Sequence, residues 1–343
     1  MPSVTVAITT YNLSNYLPLC FAELEKQTFQ DFSVLVYDDC STDGTRQELA
    51  RQKQRWGDRL EIILGSIPQK LPAKSRNVLL NSGKIRGKYC VFLDGDDSIE
   101  PDFLYRLYTL AEETGAQVAA CAYDRVDAET GRVLCEEMKG FPKTISMGQE
   151  DAPSLAAINT ALWNRLIRTE TIGQLRMPEF SVGEDAAFLL MVYQKCTLLA
   201  FTEQIGIHYR VRSSSVISNT PEESIYAFAR ELHRMYLQSQ DPWMKDNIAF
   251  AAFIHIGLSM TMRAYDNPNI ETSKIIAWIQ KDLAEHYSWL RGNRYLRPQC
   301  LLRMGIKGFG ILGAYCCYRL HIYSFFLWVY KIFVSLFHMD IKF

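Results

Sequence analysis

Asp94-Gly95-Asp96-Asp97 packs carboxylates together directly after an apolar run at residues 89–93. Carboxylates crowded at a strand end repel and raise one another's pKa unless a cation lies between them. A hard divalent ion bridging diphosphate oxygens would supply that charge and neutralise what grows on a departing nucleoside diphosphate. The bland alternative is an acidic surface turn, with Asp97 or Ser98 capping a helix near Asp102. A second acidic end, Asp38-Asp39, follows the run 33–37 and leads into Cys40-Ser41-Thr42-Asp43-Gly44-Thr45, which opens a helix. Capping explains Ser41 or Asp43, but not Asp38-Asp39, whose acceptor-only oxygens suit base or ribose donors. Glu184-Asp185 opens a helix-like stretch at 184–195, where acids favour the helix dipole in any case.

These residues need a frame to hold them. Apolar, β-branched runs at 4–8, 33–37, 60–64, 89–93 and 118–122 alternate with helical patterns at 16–25, 45–55, 73–80 and 103–113. That rhythm predicts an α/β fold, a mostly parallel sheet buried on both faces and flanked by helices. Ligands of such sheets bind at the strands' carboxyl ends. Thr9-Thr10-Tyr11-Asn12, Asp38-Asp39 and Asp94-Gly95-Asp96-Asp97 should therefore meet on one polar rim. From about 124 to 212 the alternation breaks down, leaving strand-like stretches at 198–202 and 205–210. After 218 the pattern is helical, at 221–238, 243–265, 272–287 and from 299 onward, with Asp241-Pro242 and Asn267-Pro268 as breaks.

The 343 residues are 48% hydrophobic, which excludes disorder as the main state, and a net charge of -1 argues against nucleic acid as a partner. Nine cysteines without a CxxC pair fit a reduced, cytoplasmic compartment, and residues 1–3 run straight into a strand, so no secretory signal is expected. The charge is uneven. Between Glu285 and Asp340 there is no acid, while Arg291, Arg294, Arg297, Arg303, Lys307, Arg319 and Lys331 accompany dense aromatics. Residues 291–337 are predicted to lie on the inner face of an anionic membrane, since the apolar length is short for a span. A terminal helix packed on the protein and a dimer contact are the bland alternatives.

Several blocks in order resemble family 2 glycosyltransferases of the GT-A fold: Val6-Ala7-Ile8-Thr9-Thr10-Tyr11-Asn12, Gln27-Thr28-Phe29, Asp38-Asp39 with the segment to Thr45, Ser75-Arg76-Asn77, Phe92-Leu93 with the acidic motif, Trp163-Asn164-Arg165-Leu166 and Gly183-Glu184-Asp185. The resemblance covers roughly 3–218. It implies a catalytic domain at 1–218, with a nucleotide-sugar half at about 1–123 and an acceptor half at about 124–218. A helical extension at 219–297 and the basic, aromatic tail at 298–343 would follow.

By resemblance, Thr9 and Tyr11 flank the base, Asp39 meets it edge-on, and Asn12, Arg76, Asp94 and Arg212 join them on the nucleotide-sugar. Asp96, with Asp94, would hold Mn2+ or Mg2+. Asp185 would be the catalytic base, with Glu184 as neighbour or substitute. The implied reaction is an inverting transfer from a nucleotide diphosphate donor, a UDP-sugar by resemblance, to the hydroxyl of a saccharide or lipid-linked saccharide, as in surface polysaccharide synthesis. Two departures stand out. Cys40 occupies a position where the family often has Gly, predicting a turn without positive φ. Pro68-Gln69-Lys70-Leu71-Pro72 follows no family pattern. His208 could reach the metal or a phosphate, but a lone His beside a strand is more often structural, and that reading is favoured.

A dinucleotide-dependent oxidoreductase is excluded, because no GxGxxG follows the first strand. A phosphohydrolase with Asp94 as nucleophile would leave Asp39, Tyr11 and Glu184-Asp185 without a role. A catalytically silent module of the same fold would have no need of intact acidic motifs.

Overall fold

The computed structural model describes residues 1–127, 129–149, 152–211, 221–267 and 269–337. The chain divides into two compact units: residues 1–147, 159–179 and 184–213 form the first, and residues 148–158, 180–183 and 214–343 the second.

The first unit is built on one ten-stranded sheet. Strands β1 (Val4–Thr10), β2 (Phe32–Asp38), β3 (Leu60–Leu64) and β4 (Tyr89–Asp94) run parallel in the order β3-β2-β1-β4. Between them lie helices α1 (Leu17–Glu25), α2 (Thr45–Trp56) and α3 (Pro72–Asn81). The sheet then turns mixed. It continues through β9 (Arg165–Arg168), antiparallel to both β4 and β6 (Val118–Asp127), and β10 (Leu198–Val211), parallel to β6. The short β5 (Ser98–Ile99), β7 (Val133–Glu137) and β8 (Thr144–Ser146) add antiparallel edges. Helices α4 (Phe103–Thr114), α5 (Thr169–Ile172) and α6 (Glu184–Tyr193) complete the unit. Its central strands are buried almost throughout, which is why they read as unbroken apolar runs.

The irregular region expected after residue 124 therefore contains strands. β7 escapes notice because its residues are mostly exposed and so lack an apolar run. β9 is bracketed by arginines, and the fully buried Arg165 is tolerated because its guanidinium donates to Tyr193 Oη and to the carbonyls of Ala161 and Asn159. The stretches 198–202 and 205–210 are one strand with a register shift against β6 between Thr202 and Ile207.

The second unit is helical: α7 (Glu222–Gln238), α8 (Pro242–Ala251), a π-helical stretch (Ala252–Met260), α9 (Thr261–Asp266), α10 (Thr272–Tyr287), α11 (Pro298–Arg303), α12 (Ile306–Arg319) and α13 (Tyr323–Phe337). Asp241 caps α8 by accepting from the Trp243 amide at 2.9 Å, with Pro242 at the first helical position. Among the described residues, Pro242–Asp266 is the one helix long and apolar enough to cross a membrane, yet 72% of its apolar window is buried inside the protein, as in a core helix.

Candidate active site

Parallel register brings the expected rim together. On β1, Thr9 stands level with Tyr37 of β2 and Asp94 of β4, and Thr10 level with Asp38. Arg76, projected from α3 into this end of the sheet, is almost wholly buried and forks between two acidic groups. One nitrogen donates to Asp94 Oδ1 at 3.0 Å and the other to Asp185 Oδ1 at 2.7 Å, with Glu184 Oε1 3.9 Å away. Thus the acidic motif after β4 and the acid pair that opens α6 share one guanidinium, the planar fork suited to two carboxylates at once. Burial raises the Glu184 carboxyl, and the neighbouring Asp185 adds to it against the opposing pull of Arg76. Burial likewise raises Asp185, with Arg76 opposing and Asp94 reinforcing. Among the described residues no three His, Cys, Asp or Glu side chains converge on one ion position. Asp94 and Asp96, both partly exposed, offer hard oxygens to which an ion could bind if substrate oxygens and water completed its shell.

Beside this centre, the two carboxylates after β2 have different work. Asp38 is fully buried, and its Oδ2 accepts from Arg46 Nε at 2.6 Å and from the Ser41 amide at 3.2 Å. It serves the fold rather than a ligand. Asp39 accepts the amides of Gln69 at 2.6 Å and Lys70 at 3.1 Å, so it anchors the unusual 68–72 segment at the rim. A carboxylate has about four acceptor positions, which leaves Asp39 capacity for a base edge. Asn12 accepts from the Thr42 amide at 2.9 Å, and its own amide donates to Ser41 Oγ at 2.9 Å, tying the β1 loop to the β2 loop. These bonds, with Asp38 holding Ser41, force a tight reversal in which Cys40 adopts φ +61°. The expectation of a turn without positive φ is therefore wrong: the tethered loop imposes the left-handed conformation on a non-glycine residue. Tyr11 is exposed at the rim, with 57% of the residue accessible. Arg212 lies outside the described residues.

Residues 5–165 match the family described as Glycosyl transferase family 2. This part of the chain is a family 2 glycosyltransferase domain of GT-A type. Relatives agree in level: EpsH of Bacillus subtilis is 24% identical over 236 residues, and the glycosyltransferase GlyA of Streptococcus pneumoniae 26% over 234. The matches take in 63% and 65% of this chain but only 63% and 33% of those relatives' lengths. In fold the chain is similar to residues 1–349 of Staphylococcus aureus TarS in complex with UDP, with a TM-score of 0.62 at 21% identity, covering 93% of this chain and 91% of that one. TarS is a poly(ribitol-phosphate) beta-N-acetylglucosaminyltransferase.

Several motif residues of the glycosyltransferase domain turn out to be its fasteners. Asn77 exchanges two hydrogen bonds with the backbone of Met177, at 2.9 and 2.8 Å, and so fixes the helix that carries Arg76. Asn164 reaches across to the Cys121 carbonyl at 2.7 Å, joining the segment before β9 to β6. Sequence reading named these residues only as parts of motifs, because a buried amide copying a backbone ladder leaves no periodic signal.

His208 sits between two acids: Nδ1 lies 2.7 Å from Asp124 Oδ1 and Nε2 2.9 Å from Glu100 Oε1. Burial pulls its pKa down, but the two carboxylate bonds outweigh that and raise it above the ordinary 6.5. A raised folded-state pKa stabilises fully below the unfolded value and ceases to do so as pH rises through the folded one. The melting-temperature gap between wild type and His208→Gln should thus be widest in mildly acidic buffer and narrow toward alkaline pH. A gap that is flat or grows with pH would contradict a protonated His208.

Proposed function

We propose that the protein is an inverting, metal-assisted glycosyltransferase that moves a hexose-type sugar from UDP to a hydroxyl of a saccharide, one that is lipid-linked during surface polysaccharide assembly. The observation that carries this reading is the Arg76 fork, which joins the diphosphate-side Asp94 to the base candidate Asp185. Asp185 would accept the proton of the acceptor hydroxyl as its oxygen bonds to the anomeric carbon and the bond from that carbon to the diphosphate oxygen breaks, inverting the anomer. Glu184, raised by burial, supports Asp185 as its neighbour. Arg76 can transfer hydrogen bonds to diphosphate oxygens, which releases Asp185 for proton transfer. A divalent ion held by Asp96 and Asp94 would neutralise the leaving diphosphate. The uridine donor is supported by the family and by the TarS likeness, and the polymer-type acceptor by the name of TarS. A cytoplasmic setting is supported by the absence of any disulfide among the described residues.

The test is calorimetric titration of UDP, GDP and CDP, with and without Mn2+, against wild type and Asp96→Ala. The expected result is manganese-dependent binding of UDP that the variant loses. A folded protein that binds no nucleotide under either condition would sink the donor assignment and favour a phosphohydrolase or a silent module.

A further inference from the structure

Helices α12 and α13 each bury one face within the second unit and leave a second apolar face uncovered. On α13, Tyr323, Leu327 and Tyr330 are buried, with Tyr323 stacked on Tyr318 of α12 at 3.8 Å and Lys331 paired to Asp266 at 2.6 Å. Its other side presents Phe325, Trp328, Val329 and Ile332, all at least 40% accessible and spaced i, i+3, i+4, i+7. On α12, Ile311, Ala314 and Tyr318 are buried, while Phe309 and Leu312 are exposed. Soluble surfaces rarely gather so many large apolar groups without something to cover them.

We infer that this face docks on a bilayer containing anionic lipid. Charge selects the occupant: no acid occurs between Glu285 and Asp340, and Arg291, Arg297, Arg303, Lys307 and Arg319 are all exposed. Exposed basic side chains in the stretch that carries an apolar, aromatic stripe complement a negatively charged interface. Two copies meeting through this stretch would bring its uncompensated positive charges together, which disfavours a dimer. Packing selects the mode. Tyr323, Leu327 and Tyr330 of α13 are already buried within the unit, so only one apolar side of the helix is free to meet lipid, as in a helix lying in the interface rather than across it. The surface goes beyond the donor reading and uses none of its residues.

Flotation of the full chain with vesicles of equal parts phosphatidylglycerol and phosphatidylcholine, against phosphatidylcholine alone, tests the inference. Binding should be at least about tenfold stronger to the anionic vesicles, weaken in salt, and fall by a similar factor in Phe325→Ser/Trp328→Ser/Ile332→Ser and in Arg303→Glu/Lys307→Glu. The substituted groups are exposed, and circular dichroism checks that each variant is folded. Failure of folded wild type to float with anionic vesicles overturns the inference, as does equal flotation of the triple serine variant. So does light scattering that finds a dimer which the serine variant converts to monomer, since the face then belongs to a second copy. UDP titration run alongside separates loss of this surface from failure of the donor site.

Discussion

Asp185→Asn should lower turnover by roughly two to four orders of magnitude, the range over which a positioned base contributes, and leave UDP binding in place. Asp185 suits proton abstraction better than its neighbour: its side chain is 24% accessible against 11% for Glu184, and it stands at the second position of α6. Asn keeps the shape and can still lie against the Arg76 region, so lost rate would report lost basicity. Release of UDP from a panel of UDP-sugars, with saccharide acceptors and with water as acceptor, measures it. Glu184→Gln is the internal control and should cost less, because Glu184 contacts Arg76 only at 3.9 Å. Should Glu184→Gln abolish turnover while Asp185→Asn retains it, the base would be Glu184.

What could be read from residues alone followed from how each element signals itself. β1, β2 and β4 were legible because strands buried on both faces print as apolar runs. α10 was legible to the residue, since Ile275, Ile276, Ile279 and Leu283 keep the helical period. β7 and β9 were not, the one exposed and the other carrying a buried arginine satisfied by carbonyls that no local pattern announces. At the site, Arg76, Asp94, Glu184 and Asp185 were named from separate motifs, but their meeting on one guanidinium depends on contacts about a hundred residues apart in sequence. Asp38 and Cys40 show the limit from the other side. Asp38 looks like a ligand-binding group, and Cys40 like a residue in a turn without positive φ, until their protein surroundings are seen.

The largest combined effect is expected at Arg76. Its three acidic neighbours raise its pKa further against the pull of burial, so it remains charged at any working pH. Arg76→Ala leaves Asp94, Asp185 and Glu184 in a partly dry site without the cation that pairs with them. Removing one partner of such a buried ion cluster costs about 3–5 kcal/mol, which urea denaturation would register as a clear fall in the midpoint. Turnover should fall at least as far as in Asp185→Asn, because the diphosphate side and the base side lose their shared anchor together. Arg76→Lys separates the two consequences. A lysine restores one positive charge and with it part of the stability, but its point-like ammonium cannot reproduce a planar fork that reaches Asp94 and Asp185 with separate nitrogens. The lysine variant should therefore unfold closer to wild type yet stay nearly inactive. Wild-type turnover in Arg76→Lys would mean that charge alone organises the site, and a wild-type midpoint in Arg76→Ala would mean that the carboxylates are relieved by water or by protonation instead.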